Sequence, residues 1–222
     1  MSVSPNFDDR PPSTPVDMLV LHYTGMASGF IALDRLCSPK AKVSAHYLID
    51  EDGDVAPLVD EDKRAWHAGA AFWRGETDIN GRSIGIELVN PGHEFGYRDF
   101  PQAQMAALVD LATGILARHP IQARNVVGHS DVAPARKTDP GERFDWAGLA
   151  AAGTGLWPDT AEPVEADEGQ VLEWLAAYGY DTADGVQAIT AFQRHFCPQT
   201  LDGRADAGTI GLLRALLDHC QP

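Results

Sequence analysis

Apolar positions along the chain follow two rhythms. In the first two-thirds, short and nearly unbroken apolar runs alternate with stretches of helical spacing; in the last quarter only helical spacing remains. Five short runs read as strands. Residues 17–23 are almost continuously apolar, the pattern of a strand buried on both faces. Residues 45–50 and 55–59 flank Glu51-Asp52-Gly53-Asp54, whose Asp-Gly pair signals a hairpin turn. Pro57 puts the second of these at a sheet edge or bulge, because proline has no N–H to give to a ladder. Residues 83–89 form another buried run, and residues 125–129 are short and β-branched. Helices fall between them. Residues 27–37 form one that stops before Pro39. Residues 101–118 form a stronger one, with Pro101 in the first turn and Met105, Leu108, Ala112 and Ile115 at helical spacing. Interleaved strands and helices predict an α/β fold with a mixed central sheet flanked by helices over residues 1–150.

The pattern changes near residue 150. Residues 151–167, rich in glycine, proline and small polar residues, read as a linker. Three amphipathic helices follow, so residues 168–222 read as a small three-helix domain. The first carries Val171, Leu172, Leu175 and Tyr178; the second Val186, Ile189, Phe192 and Phe196; the third Ile210, Leu213 and Leu217, with Asp206 as its N-cap.

Composition narrows the classes. Of 222 residues, 44% are hydrophobic and 22% charged, globular values that exclude disorder or coiled coil for the whole chain. Seventeen basic residues against 32 acidic ones give a formal charge of −15. That field repels polyanions, so nucleic acid and anionic membrane surfaces are poor partners, and an acidic substrate needs local positive contacts. No apolar run approaches the roughly 18 residues of a membrane span. The first residues show neither a basic segment nor an apolar one, which predicts a cytoplasmic protein, with the periplasm or outer membrane as the alternative. Cys37, Cys197 and Cys220 are few, odd in number and not in CxxC spacing, so neither a disulfide framework nor a thiolate metal knuckle is expected.

The candidate chemistry gathers at strand ends. His22 closes the first strand and His129 the fifth, where open α/β sheets place their sites. Asp139 follows His129 by ten residues. Two imidazoles and a carboxylate make the three-ligand set of a catalytic zinc; each histidine read singly is equally a satisfied, partly buried group. HExxH is absent, which excludes the usual zinc-protease helix. Glu87 sits inside the apolar run, where an ionised carboxylate needs a partner. It is either a general base beside a metal-bound water or half of a structural ion pair. Lys137 either stabilises a developing oxyanion or is a solvated surface lysine. Arg64, Trp66, His67 and Ala68 combine a cation, an indole, an imidazole and a small residue. That combination suits a sugar or peptide subsite or a core tryptophan with a bonded histidine.

Together these segments resemble the type-2 zinc N-acetylmuramoyl-L-alanine amidases of the AmpD/AmiD branch. The matching pieces are Leu21-His22-Tyr23-Thr24, Ser44-Ala45-His46-Tyr47, residues 63–69, residues 83–88, and the long motif from Gly128 to Gly141. The resemblance implies one Zn²⁺ per chain on His22, His129 and Asp139, with Glu87 and Lys137 catalytic and Arg64, Trp66, His67 and Ala68 contacting substrate. It implies hydrolysis of the amide between N-acetylmuramic acid, or its 1,6-anhydro form, and L-alanine, with peptidoglycan or anhydro-muropeptides as partners. Residues 168–217 resemble a three-helix peptidoglycan-binding module, which would hold polymeric substrate and do no chemistry. Two rivals are a non-catalytic peptidoglycan-recognition protein, which predicts a missing ligand or acid, and a zinc peptidase cutting within the stem peptide.

Overall fold

A computed structural model describes residues 3–158 and 161–220. Its strands, in chain order, are β1 (Phe7–Asp9), β2 (Met18–Tyr23), β3 (Tyr47–Ile49), β4 (Val55–Pro57), β5 (Lys63–Ala65), β6 (Ser83–Leu88) and β7 (Val126–Gly128). Its α-helices are α1 (Gly29–Cys37), α2 (Ile79–Arg82), α3 (Gly92–Phe95), α4 (Gln102–Arg118), α5 (His129–Val132), α6 (Trp146–Ala151), α7 (Glu168–Tyr178), α8 (Gly185–Phe196) and α9 (Ala207–His219).

Five strands make the central sheet in the order β4-β3-β6-β2-β7. β2 is parallel to both neighbours, β3 is parallel to β6, and β4 closes the edge antiparallel to β3. The sheet is therefore mixed and flanked by helices, and Pro57 lies on the edge strand, where its missing N–H does no harm. In the hairpin between β3 and β4, Gly53 takes φ +93° and donates its N–H to the Asp50 carbonyl at 3.0 Å. α1 starts at Gly29 behind Ser28, whose hydroxyl accepts from the Ile31 N–H. Pro101 stands just outside α4, with an extended ψ of 147°, so its ring precedes the first turn. β1 and β5 form a separate antiparallel ribbon that the apolar pattern did not foretell.

Alternation along the strands divides the core. Leu19 and Leu21 of β2 and Ile84, Ile86 and Leu88 of β6 meet Leu108, Ala112 and Ile115 of α4. The other face presents Met18, Val20 and Val127. These join one apolar cluster with Val171, Leu175 and Tyr178 of α7, Ile189, Phe192 and Phe196 of α8, and Ile210 and Leu213 of α9. The three C-terminal helices form where the spacing expects them. Asp167, Asp184 and Asp206 each accept a backbone N–H three residues on, which satisfies donors that helix starts leave free. Their apolar faces close onto the sheet as well as onto one another. Trp73, 2% exposed, is the hinge of this contact, with its ring edge-on to Tyr178 and Tyr180 at 5.9 and 5.1 Å. Val186, placed in the core by its spacing, instead stands exposed in the first turn of α8.

A chain ending at Pro158 should therefore lose its cooperative thermal transition. It strips the cover from Met18, Val20, Val127 and Trp73, and re-exposing each fully buried apolar side chain costs about 1.5–3 kcal/mol. A shortened chain that melts in one sharp step near the full-length temperature would contradict this. Among the described residues, no helix is long and apolar enough to cross a membrane.

Candidate active site and metal centre

The parallel register builds the site. His22, the fifth residue of β2, lies beside Glu87 on β6. On β6 the period of two puts Ser83, Gly85 and Glu87 on one face and Ile84, Ile86 and Leu88 on the other. His129 opens α5 directly after β7, on the other flank of β2. Asp139 arrives on a loop that is pinned along its length. The Arg136 and Lys137 N–H groups both donate to the Ala133 carbonyl at 3.0 Å, and the Ser130 N–H donates to the Asp139 carbonyl at 2.9 Å. Tyr97 donates its hydroxyl to the Pro140 carbonyl at 2.7 Å, and Tyr23 Oη lies 3.0 Å from Thr138 Oγ1. Gly141 (φ +90°) passes so close to Tyr97 that a Cβ there would stand 2.3 Å from the phenol oxygen.

Three ligand atoms converge. His22 Nδ1 lies 2.9 Å from His129 Nδ1 and 2.9 Å from Asp139 Oδ2, and His129 Nδ1 lies 3.0 Å from the same oxygen. All three residues are buried, and among the described residues they are the one such histidine, cysteine and acid cluster that could hold a metal ion. The donor set asks for a cation. His129 Nε2 sits 3.0 Å from the Ala68 carbonyl, which can only accept, so Nε2 carries the proton and Nδ1 turns a lone pair inward. A carboxylate oxygen and an imidazole lone pair about 3 Å apart at a largely buried site repel unless a positive charge, a proton or a metal ion, lies between them. Two imidazoles and one carboxylate at this spacing fit zinc, whose bonds to such ligands run about 2.0–2.2 Å.

Burial, and then the proximity of His129, push the His22 imidazole down to about 4. His67 is pushed well below the usual imidazole range by burial and by the neighbouring rings of His22 and His46. Burial alone would raise the Asp139 carboxyl, but His129 and His22 outweigh it and hold the group well below the carboxylate range. Glu87 is the opposite case. Burial, then repulsion from Asp139, raise its carboxyl well above the usual value, with Lys137 pulling the other way. Its Oε2 is sealed from solvent and has no hydrogen-bond partner.

Glu87, Lys137, His129 and Asp139 line one open cavity of about 950 Å³, walled also by Trp66 and Tyr23. The structure thus brings together all five residues expected to bind metal or act in catalysis. It divides the four expected to touch substrate. Trp66 lines the cavity and donates its indole N–H to Asp8 at 3.2 Å. His67 also lines the cavity, although it is largely buried. Arg64 is not on the cavity wall: it is bidentate on Asp8 at 2.7 and 2.8 Å and also meets Asp78, which ties β5 to β1. Ala68 is fully buried, and its carbonyl serves His129 and the Arg136 guanidinium. Sequence reasoning passed over Tyr97, Thr138, Ser83 and Gly85. Tyr97 had no signal, whereas the alternation Ser83-x-Gly85-x-Glu87 could have marked the other two strand positions as site-facing.

Comparison with known proteins places this geometry. Residues 12–142 match the family model described as N-acetylmuramoyl-L-alanine amidase. The amidase AmiD of Escherichia coli is 39% identical over 91% of this chain and 83% of its own length. The 1,6-anhydro-N-acetylmuramyl-L-alanine amidase AmpD of Citrobacter freundii is 38% identical over 67% of this chain and 86% of its own length. In three dimensions, E. coli AmiD in complex with the substrate anhydro-N-acetylmuramic acid-L-Ala-D-γ-Glu-L-Lys superposes with a TM-score of 0.85 at 36% identity, covering 96% of this chain and 98% of that one. AmpDh3 of Pseudomonas aeruginosa, in complex with anhydromuramic pentapeptide, gives 0.80 at 32% identity over the whole of both chains. The family model takes in the greater part of the chain and every residue of the candidate metal and catalytic set, and the relatives align over most of their own length: the chain belongs to the N-acetylmuramoyl-L-alanine amidase family.

Proposed function

We propose that this amidase binds one Zn²⁺ on His22, His129 and Asp139 and hydrolyses the amide joining the lactyl group of N-acetylmuramic acid, or of its 1,6-anhydro form, to the L-alanine of the stem peptide. The observation that carries the reading is the convergence of Glu87 and Lys137 on the three metal-binding atoms at one open cavity. Zinc bound there supplies Lewis-acid polarisation of the carbonyl and a water acidic enough to attack it. Glu87 accepts the proton of that water and returns it to the leaving alanine nitrogen. Its raised affinity for a proton suits a group that must hold one between two steps. The Lys137 ammonium faces the charge that gathers on the carbonyl oxygen. Trp66 offers an indole face to a sugar ring. Arg35, Arg136 and Lys137 line the cavity, and these are the local positive contacts that an acidic peptide requires in a chain of formal charge −15.

Hydrolysis in ¹⁸O-labelled water tests the reading. The label is expected in the lactyl carboxyl of the sugar product, with a peptide that begins at a free L-alanine amine. Label at a peptide carboxyl inside the stem would make the protein a stem peptidase instead. Lys137→Ala is expected to keep its metal and lose about 10²–10³ in kcat, as for a lost oxyanion donor. A near-normal kcat would return Lys137 to the role of a solvated lysine.

Residues 168–222 carry a second role under this proposal, contact with polymeric wall. It is supported by the resemblance of α8 and the turn after it to peptidoglycan-binding helices, and co-sedimentation of the full chain with insoluble peptidoglycan tests it. Cytoplasmic residence is proposed on Cys37, Cys197 and Cys220, all unpaired thiols, which suit a reducing compartment. Fractionation decides it, and recovery with the periplasm or outer membrane refutes it.

A further inference from the structure

His22 has two ring nitrogens, and only one can face a metal. For His129 the choice is made by a carbonyl. For His22 it is made at a distance, through a chain of three hydrogen bonds. The Ser83 hydroxyl lies 2.6 Å from the Ile79 carbonyl, an oxygen that can only accept, so the serine proton is committed to it. Ser83 Oγ then has only lone pairs to offer His67 Nε2, 3.1 Å away, and that nitrogen must be the donor. A neutral His67 with its proton on Nε2 presents a bare Nδ1, which lies 3.1 Å from His22 Nε2. His22 Nε2 must therefore carry the proton, and His22 Nδ1 is left as a lone pair aimed at Asp139 and His129. A charged His67 is disfavoured by its surroundings: the ring is buried edge-on against His22 and His46, with the Arg10 guanidinium beyond at His46 Nε2.

We propose that His67 and Ser83 are positioning residues that set the tautomer of His22, so that its Nδ1 meets the metal already deprotonated. The backbone is built for this chain of bonds. Gly85 stands between Ser83 and Glu87 on the same strand face, and a Cβ there would lie 2.5 Å from His67 Cγ. A side chain at residue 85 would displace the ring that links serine to ligand. Strand β6 thus presents three successive inward positions with distinct tasks: a proton anchor, a seat for the relay ring and the general base. His67, expected from sequence to touch substrate, lines the cavity and also stands behind the ligand. The proposal rests on the metal reading above, and its first test needs no metal.

That test is long-range ¹⁵N–¹H NMR of the metal-free full chain with labelled histidine. His67 is expected to be protonated at Nε2 and bare at Nδ1, and His22 to carry a proton at Nε2. The second test is competition for zinc against a chelator, without substrate. Ser83→Ala leaves His67 Nε2–H without an acceptor and should weaken zinc binding about 10–100-fold, the usual loss for an outer-shell partner of a ligand. Ser83→Thr, which keeps the hydroxyl, should recover most of it. A proton on His67 Nδ1, or a bare His22 Nε2, in the metal-free wild type overturns the proposal, as does zinc affinity in Ser83→Ala within about twofold of wild type, well short of the outer-shell loss. If Ser83→Ala does not fold, the wild-type tautomers decide alone. A wild-type chain that binds no zinc overturns the metal reading, and the tautomers in the same sample still decide this one.

Discussion

Replacing Glu87 with glutamine should leave the zinc in place and lower kcat by about 10²–10⁴-fold, the usual contribution of a positioned acid–base group. The side chain is not one of the three converging groups that could hold a metal; it lines the cavity beside Asp139 and His129. Glutamine keeps its shape and removes its proton affinity. The substitution also has a stability signature that separates it from damage to the fold. Burial and Asp139 raise the Glu87 carboxyl above its ordinary value, so the folded chain holds that proton more tightly than the unfolded chain. The favourable contribution is complete below the unfolded pKa, near 4.5, and is lost as pH rises towards the folded value. The metal-free Glu87→Gln protein should therefore be more stable than wild type above neutrality, with the difference shrinking towards pH 4. Urea unfolding at several pH values measures it. A variant less stable than wild type at pH 8, or one with unchanged kcat, would make Glu87 a structural residue.

Asp139→Ala should abolish activity together with zinc. The aspartate is the only anion among the three converging atoms, and it touches both imidazoles at 2.9 and 3.0 Å. Its loss leaves two neutral ligands, one short of the protein's share in a catalytic site. Metal analysis should fall from one zinc per chain towards none. Thermal stabilisation by added zinc, worth about 4 kcal/mol at a thousandfold excess over Kd, should disappear as well. Burial and His129 make the His22 ring a poor proton acceptor, so protons compete weakly with a metal at that ligand, and His22→Ala should lose zinc as Asp139→Ala does. Unchanged zinc content in His22→Ala would remove His22 from the ligand set. Unchanged zinc content in Asp139→Ala would remove the carboxylate from the site.

What could be read from the sequence, and what could not, follows from the range over which each signal acts. A two-sided apolar run marked β2 and β6, so His22 at a strand end and Glu87 within a strand stood out against their neighbours, and the motif around His129 carried Asp139 with it. The register that sets His22 beside Glu87 is a property of two strands paired through space, and no local spacing encodes it. Arg64 reads as a free cation beside an aromatic residue; its partner Asp8 lies 56 positions away, on the three-residue strand Phe7–Asp9, too short to show an alternation. Ser83 and Gly85 read as ordinary small strand residues, and only the ring of His67 seated on Gly85 gives them a task. The three C-terminal helices were legible from their period, because periodicity shows which face of a helix is apolar. It does not show what covers that face, and here the sheet carrying the candidate site is part of the cover.

One titration tests the account most directly. Metal-free protein is mixed with an anhydro-muropeptide of defined stem, zinc is added in fractions of an equivalent, and the products are weighed by mass spectrometry. Product is expected to rise in proportion to zinc and to level off at one equivalent per chain, as a free anhydro-muramic acid and an intact peptide beginning with L-alanine. Full turnover before zinc is added, or fragments cut within the stem peptide, would contradict it.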